Sequence, residues 1–100
     1  GLEYWKDRRR DVASYLGYMV KLIWEEKPAE VLEAHKEMLT HPGNRMSADS
    51  LLKVLSAAVR NKYQPGVDYV KEMLPLLDSD PELEKPKEYQ RRFFRVLFWR

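Results

Sequence analysis

Lys36-Glu37-Met38-Leu39 recurs 35 residues later as Lys71-Glu72-Met73-Leu74, and the same interval sets Leu16 on Leu51 and Met19 on Val54. A self-match at a fixed interval of about 20 to 50 residues marks stacked helix-turn-helix units, each burying its apolar face only against its neighbours. Units of that kind present surfaces and seldom enclose a reaction centre. The echo therefore predicts an all-α chain of paired helices.

Outward from the echo, apolar spacing delimits the helices. From Asp11 to about Glu26, Val12, Tyr15, Leu16, Met19 and Ile23 fall at intervals of three and four, the stripe of an amphipathic helix. Pro28 suits the first turn of a second helix, where its missing N–H costs nothing, and Glu30 and Glu33 put negative charge near the positive end of the helix dipole. Val31, Leu32, His35, Met38 and Leu39 form its inner stripe, which the turn cluster His41-Pro42-Gly43-Asn44 breaks. Ser47 is an N-cap for a third helix ending near Lys62, with Leu51, Val54, Leu55, Ala58 and Val59 inward. Its pair Ala57-Ala58 lets a neighbour approach closely. Pro65 opens a fourth helix through Val67, Val70, Met73, Leu74 and Leu77, in which Pro75 predicts a kink or a stop. Asp78-Ser79-Asp80-Pro81 reads as a linker, and Pro86 starts a last helix through Tyr89, Phe93, Val96 and Leu97. No stretch alternates with period two for the length of a strand.

Short connections make sequence neighbours antiparallel. The predicted architecture is thus a single all-α domain, residues 1–100. It comprises two antiparallel helical hairpins in tandem, 11–43 and 47–77, and a C-terminal capping helix, 86–100, in a solenoid-like, right-handed stack. One hundred residues support one simple core, and 44% hydrophobic with 34% charged residues is the composition of a folded, soluble domain.

Several function classes drop out on composition. With no cysteine, disulfide stapling, thiolate catalysis and cysteine-ligated metal centres are excluded. No apolar run approaches the 18 or so residues of a membrane-spanning helix, and the first residues lack a secretory hydrophobic region. An intracellular setting, cytoplasm or mitochondrial matrix, is the favoured expectation. His35 and His41 do not share a helix face, and no His-Glu-x-x-His or Glu-x-x-His pattern surrounds them, so no metal or other cofactor is expected. His35 reads as a packed residue holding a hydrogen bond. No Ser, Thr or Lys stands beside an evident base, and four glycines make no phosphate loop, so the chain reads as non-enzymatic, without a small-molecule substrate.

Charge is unevenly placed. Residues 1–27 carry +1, 28–84 carry −4 and 85–100 carry +5. Two surfaces follow from this. Glu26, Glu30, Glu33 and Glu37 recur every three or four residues as an acidic strip, either a solvated face or a contact for a basic partner. In the tail, Arg91, Arg92, Phe94, Arg95, Phe98 and Trp99 interleave cations with aromatics. That mixture suits the centre of a protein interface, and it also suits RNA through phosphate contact and base stacking, or a membrane surface. The bland alternative is a helix capping its own core with the arginines in water.

The run from Pro28 to Gly43, Ala-Glu-Val-Leu-Glu-Ala-His-Lys-Glu-Met-Leu at its centre, resembles the second helix of a pentatricopeptide repeat, a 35-residue unit ending that helix in an acidic residue, Met and an aliphatic residue. Gly66-Val-Asp-Tyr-Val-Lys-Glu-Met-Leu is similar, with Gly66 where the family keeps a small residue, and Tyr15 falls where its first helix often has Tyr. The resemblance covers residues 13–77. It implies single-stranded RNA binding with one base read per repeat from the first helix. The base-reading positions it implies are Gly17 and Leu52, and neither offers the hydrogen bonds of the family's usual Asn, Ser or Thr.

Taken together, these features predict a non-catalytic protein–protein interaction module, an accessory subunit of a larger complex. One alternative is RNA binding through the basic aromatic tail. Another is a small bacterial inhibitor or immunity-type protein using the acidic strip.

Overall fold

The computed structural model describes residues 9–78 together with 91–93, 95 and 96, and within them the chain is all-α. Four helices run in order: α1 Val12–Trp24, α2 Pro28–Met38, α3 Ala48–Arg60 and α4 Gln64–Asp78. Residues 91–93, 95 and 96 are also helical and fall inside the predicted last helix. Its start at Pro86, the linker after Asp78, and Phe94, Phe98 and Trp99 lie outside the described residues.

Local chemistry explains where each helix begins. The Asp11 carboxylate accepts the Ser14 N–H at 2.8 Å and caps α1. That bond holds the Asp11 pKa below the ordinary carboxylate value. Ser47 caps α3 by accepting the Ser50 N–H at 3.1 Å, while Ser50 Oγ accepts the Ser47 N–H at 3.2 Å, a reciprocal box satisfying two otherwise orphaned donors. In α2 no side chain caps, and Pro28 at the first position removes one of the donors that would need it.

The helices stop through a shared device. After α1, Glu26 N–H bonds the Ile23 carbonyl and Lys27 N–H the Leu22 carbonyl, each at 3.0 Å; after α3, Lys62 N–H bonds Val59 and Tyr63 N–H bonds Ala58, at 3.3 and 2.8 Å. Both are Schellman closures, and both place a non-glycine residue in the left-handed region, Glu26 at φ 56° and Lys62 at φ 53°. Those residues cannot continue a right-handed helix, which is why α1 ends at Trp24 and α3 at Arg60, two residues before the predicted ends. Caps, helices and turns of the two hairpins correspond at 36 residues, one more than the Lys-Glu-Met-Leu interval: Asp11 with Ser47, Glu26 with Lys62, Pro28 with Gln64. The echo thus sits one residue out of structural register; Met38 is buried, whereas Met73 and Leu74 are both half-buried.

Each helix packs on its sequence neighbour, α1 on α2 and α3 on α4; α2 on α3 joins the hairpins, and α1 also reaches α3. One core results, with Tyr15, Met19 and Leu22 from α1, Val31, Leu32 and Met38 from α2, Leu51, Val54 and Leu55 from α3, and Val70 and Leu77 from α4. Phe93, only 1% exposed, joins it from the last segment, and Val96 packs against it. In α1 the inner stripe runs through Leu22; Val12, Leu16 and Ile23 are half-buried at its margins. The α3–α4 contact is close: a methyl placed on Gly66 would lie 2.7 Å from the Ala58 Cβ. Pro75 does not stop α4, which continues to Asp78. Pro75 and Lys71 are both exposed, so the carbonyl deprived of its donor lies on the solvated side.

Candidate functional surfaces

Two polar clusters inside the fold bring together residues far apart in sequence. His35, fully buried on α2, has Nε2 3.1 Å from Ser50 Oγ of α3 and Nδ1 2.9 Å from the Tyr69 hydroxyl of α4. Ser50 donates its own proton to the Ser47 carbonyl at 2.9 Å. The bonds close consistently only if Nε2–H donates to Ser50 and Nδ1 accepts from Tyr69, a neutral imidazole with both nitrogens satisfied. Burial lowers the His35 pKa from 6.5 to about 4 and raises that of Tyr69, the latter helped by Glu72. The fold sets Ser50 beside an imidazole, but as the acceptor of its N–H, so the ring does not act as a base toward that hydroxyl. Both groups are shut off from solvent, so the pair acts as a polar pin across three helices.

The second cluster lies where the start of α1 meets the end of α2. Arg9 stacks on the Tyr18 ring at 4.3 Å and reaches both carboxylate oxygens of Glu37 at 3.5 Å. The buried Tyr15 hydroxyl lies 2.9 Å from His41 Nε2, and Asn44 Nδ2 donates to the carbonyls of Arg10 and Met38 at 3.0 and 3.1 Å. Burial works against the Arg9 charge, but Glu37 and the tyrosines outweigh it and the pKa rises; burial, with Glu37 adding, also raises that of Tyr15. These contacts tie the chain before α1 to the turn after α2. No pattern of spacing could have revealed them. Among the described residues no group of His, Asp or Glu is arranged to hold a metal ion, and no helix is long and apolar enough to cross a membrane.

The acidic strip is divided by the fold. Glu30, Glu33 and Glu37 share α2 and are exposed, whereas Glu26 sits in the turn after α1. Glu37 pairs with Arg9, and Glu33 with Lys36 at 3.7 Å, so much of the strip's charge is answered within the chain. Of the tail residues, Arg91, Arg92 and Arg95 are exposed on a helical segment that Phe93 roots in the core. Gly17 and Leu52, the positions implied for base reading, are both half-buried.

One surface went unnoticed in the sequence. Along the outer side of α1, Ala13, Gly17, Val20 and Trp24 are spaced four, three and four apart and so share a face, with Val20 40% and Trp24 79% exposed. The signal was present: Lys21 is the one charged residue in all of α1. Compared with protein-family models, curated proteins and solved structures, the chain matches none.

Proposed function

We propose that this chain is a non-catalytic interaction module, an accessory subunit that docks on an acidic protein surface through its last helix. The observation that carries the reading is the pairing of Phe93, locked in the core, with Arg91, Arg92 and Arg95 displayed outward on the same segment. A side chain rooted in the core fixes the helix in advance, so less ordering is lost when a partner binds. Guanidinium groups match carboxylates in a planar, two-bonded geometry, and residues 85–100 carry a net +5 that steers an acidic partner toward them. The acidic strip supports an inhibitor role less well, because Arg9 and Lys36 already answer it.

The test is co-purification of the full chain from its source cells, with and without nuclease, beside the triple variant Arg91→Glu, Arg92→Glu, Arg95→Glu. A protein partner that survives nuclease and is lost with the triple variant is expected. RNA that is removed by nuclease, and whose affinity falls linearly in log–log salt dependence with a slope of several charges, would replace this reading with the nucleic-acid one. Unchanged partner recovery with the triple variant would overturn both.

A further inference from the structure

We propose that Tyr15, Tyr18 and Glu37 form a cage for a quaternary ammonium group, and that Arg9 of the same chain fills it as a displaceable plug. This goes beyond the docking of the last helix and stands on other residues. The cage is two aromatic rings and a carboxylate gathered around one cation. The Arg9 guanidinium carbon lies 4.3 Å from the centre of the Tyr18 ring and 5.9 Å from that of Tyr15, and its Nη2 is 3.5 Å from both Glu37 oxygens. Aromatic faces attract a cation through the ring quadrupole, most strongly where water is kept out, and the Arg9 side chain is only 13% exposed. The Glu37 carboxylate adds its own attraction. The surroundings favour positive charge at this point, since the Arg9 pKa is raised despite burial.

A guanidinium is nonetheless a poor match for this cage. Its Glu37 contacts are long and run from a single nitrogen, whereas a well-seated arginine sets two parallel bonds of about 2.7 to 2.9 Å on a carboxylate. Arg9 Nε is buried with no hydrogen-bond partner, a donor stripped of water and left unanswered. A quaternary ammonium carries the same charge and has no N–H to satisfy, so that defect vanishes with it. Walls and plug also stand on different supports. Tyr15 and Tyr18 belong to α1 and Glu37 to α2, and the Tyr15 hydroxyl is held 2.9 Å from His41 Nε2, a contact that does not involve Arg9. Arg9 precedes the Asp11 cap and lies outside the helix, where the Asn44 bond to the Arg10 carbonyl also holds the chain. The α1 ladder starts at the Asp11 carbonyl, so withdrawing Arg9 breaks none of its bonds and leaves the walls in place.

Arg9→Ala empties the cage, and titrating that variant with tetramethylammonium chloride while following the Tyr15 and Tyr18 ring resonances by nuclear magnetic resonance tests the assignment. Saturable shifts of both rings are expected. The affinity should exceed that of the wild type by about tenfold or more, because there the tethered Arg9 competes at high effective concentration. Adding Glu37→Gln or Tyr18→Leu to Arg9→Ala should weaken binding severalfold, and tert-butanol, similar in size but uncharged, should not bind. Choline and Nε-trimethyl-lysine amide, titrated in parallel, distinguish a small choline-type ligand from a methylated peptide as the source of the group. If Arg9→Ala is unfolded, tetramethylammonium should restore its cooperative thermal transition. Absence of saturable binding, binding equal to that of the wild type, indifference to both Glu37→Gln and Tyr18→Leu, equal shifts from tert-butanol, or an unfolded variant that tetramethylammonium does not restore would each overturn the proposal.

Discussion

α1 and α3 are the same helix in two surroundings. Each has 13 residues, begins at a side-chain cap and ends in a Schellman closure on a non-glycine left-handed residue. They differ in what surrounds them. α3 packs on all three other helices, burying Ser50, Leu51, Val54, Leu55, Ala57 and Ala58, and keeps a polar outer face. α1 buries Tyr15, Met19 and Leu22 and leaves Val20 and Trp24 in solvent. The hairpin needs caps, a turn and one inner stripe. α1 thus displays an apolar outer face where α3 displays a polar one.

The largest expected effects fall on the shared inner stripe. Met19 and Leu55 correspond at 36 residues and both are fully buried. Met19→Ala and Leu55→Ala should each cost about 2 to 5 kcal/mol in denaturant unfolding. A loss under about 0.5 kcal/mol at either position, within the range of surface substitutions, would break the equivalence.

Next comes the pin that only one hairpin carries. His35 corresponds to the exposed Lys71, so the second hairpin holds no counterpart. The folded-state pKa of His35 is about 4 against 6.5 in the open chain, so the unfolded state binds the proton first as pH falls. Stability is therefore full above pH 6.5 and declines toward pH 4, by about 3 kcal/mol in total. The groups around the ring are Ser50 and Tyr69, with Lys36 over the Tyr69 ring and Glu72 acting on Tyr69, and none provides a carboxylate hydrogen-bonded to the imidazole. Urea unfolding from pH 7 to 4 should show the decline in the wild type and a much flatter profile in His35→Gln. An equal slope in both would remove His35 from the account.

A smaller effect sharpens the contrast in helix spacing. Gly66→Ala places a methyl 2.7 Å from Ala58 Cβ, and the cost of prising α3 from α4 should exceed the gain in helix propensity, for a net loss of about 1 to 2 kcal/mol in thermal unfolding. The smallest concerns the turns. Glu26→Gly and Lys62→Gly relieve the same left-handed strain and should each stabilise by roughly 0.5 to 1 kcal/mol. Gains of opposite sign would show that the two turns are not alike.

What was legible in the sequence was local. The Ser47 cap, Pro28 at a first turn and the break at His41–Asn44 follow from backbone groups satisfied within a few residues, and the inner stripes of α2 and α3 from the 3.6-residue apolar period. Register and termini were less accessible: the Lys-Glu-Met-Leu echo gave 35 residues where the caps and turns recur at 36, and Glu26 and Lys62 adopt a conformation that glycine usually supplies. Of the kink or stop that Pro75 predicted, the stop does not occur, because the freed carbonyl lies on the solvated side, which sequence does not state. Contacts among Arg9, Tyr18 and Glu37, or His35, Ser50 and Tyr69, join residues 9 to 34 apart, with no periodicity to announce them. The outer face of α1 is legible in that helix's single charge, Lys21.

The most direct measurement is to transplant the outer face of α3 onto α1, as Ala13→Asp, Gly17→Lys, Val20→Ser and Trp24→Arg together, and follow thermal unfolding at low protein concentration. If that face contributes little to the fold, the variant should stay helical and unfold cooperatively within about 4 °C of the wild type, a difference under roughly 1 kcal/mol for a chain this size. A midpoint lowered by about 10 °C or more, or loss of cooperative unfolding, would contradict the account by showing that the chain's own fold depends on that face.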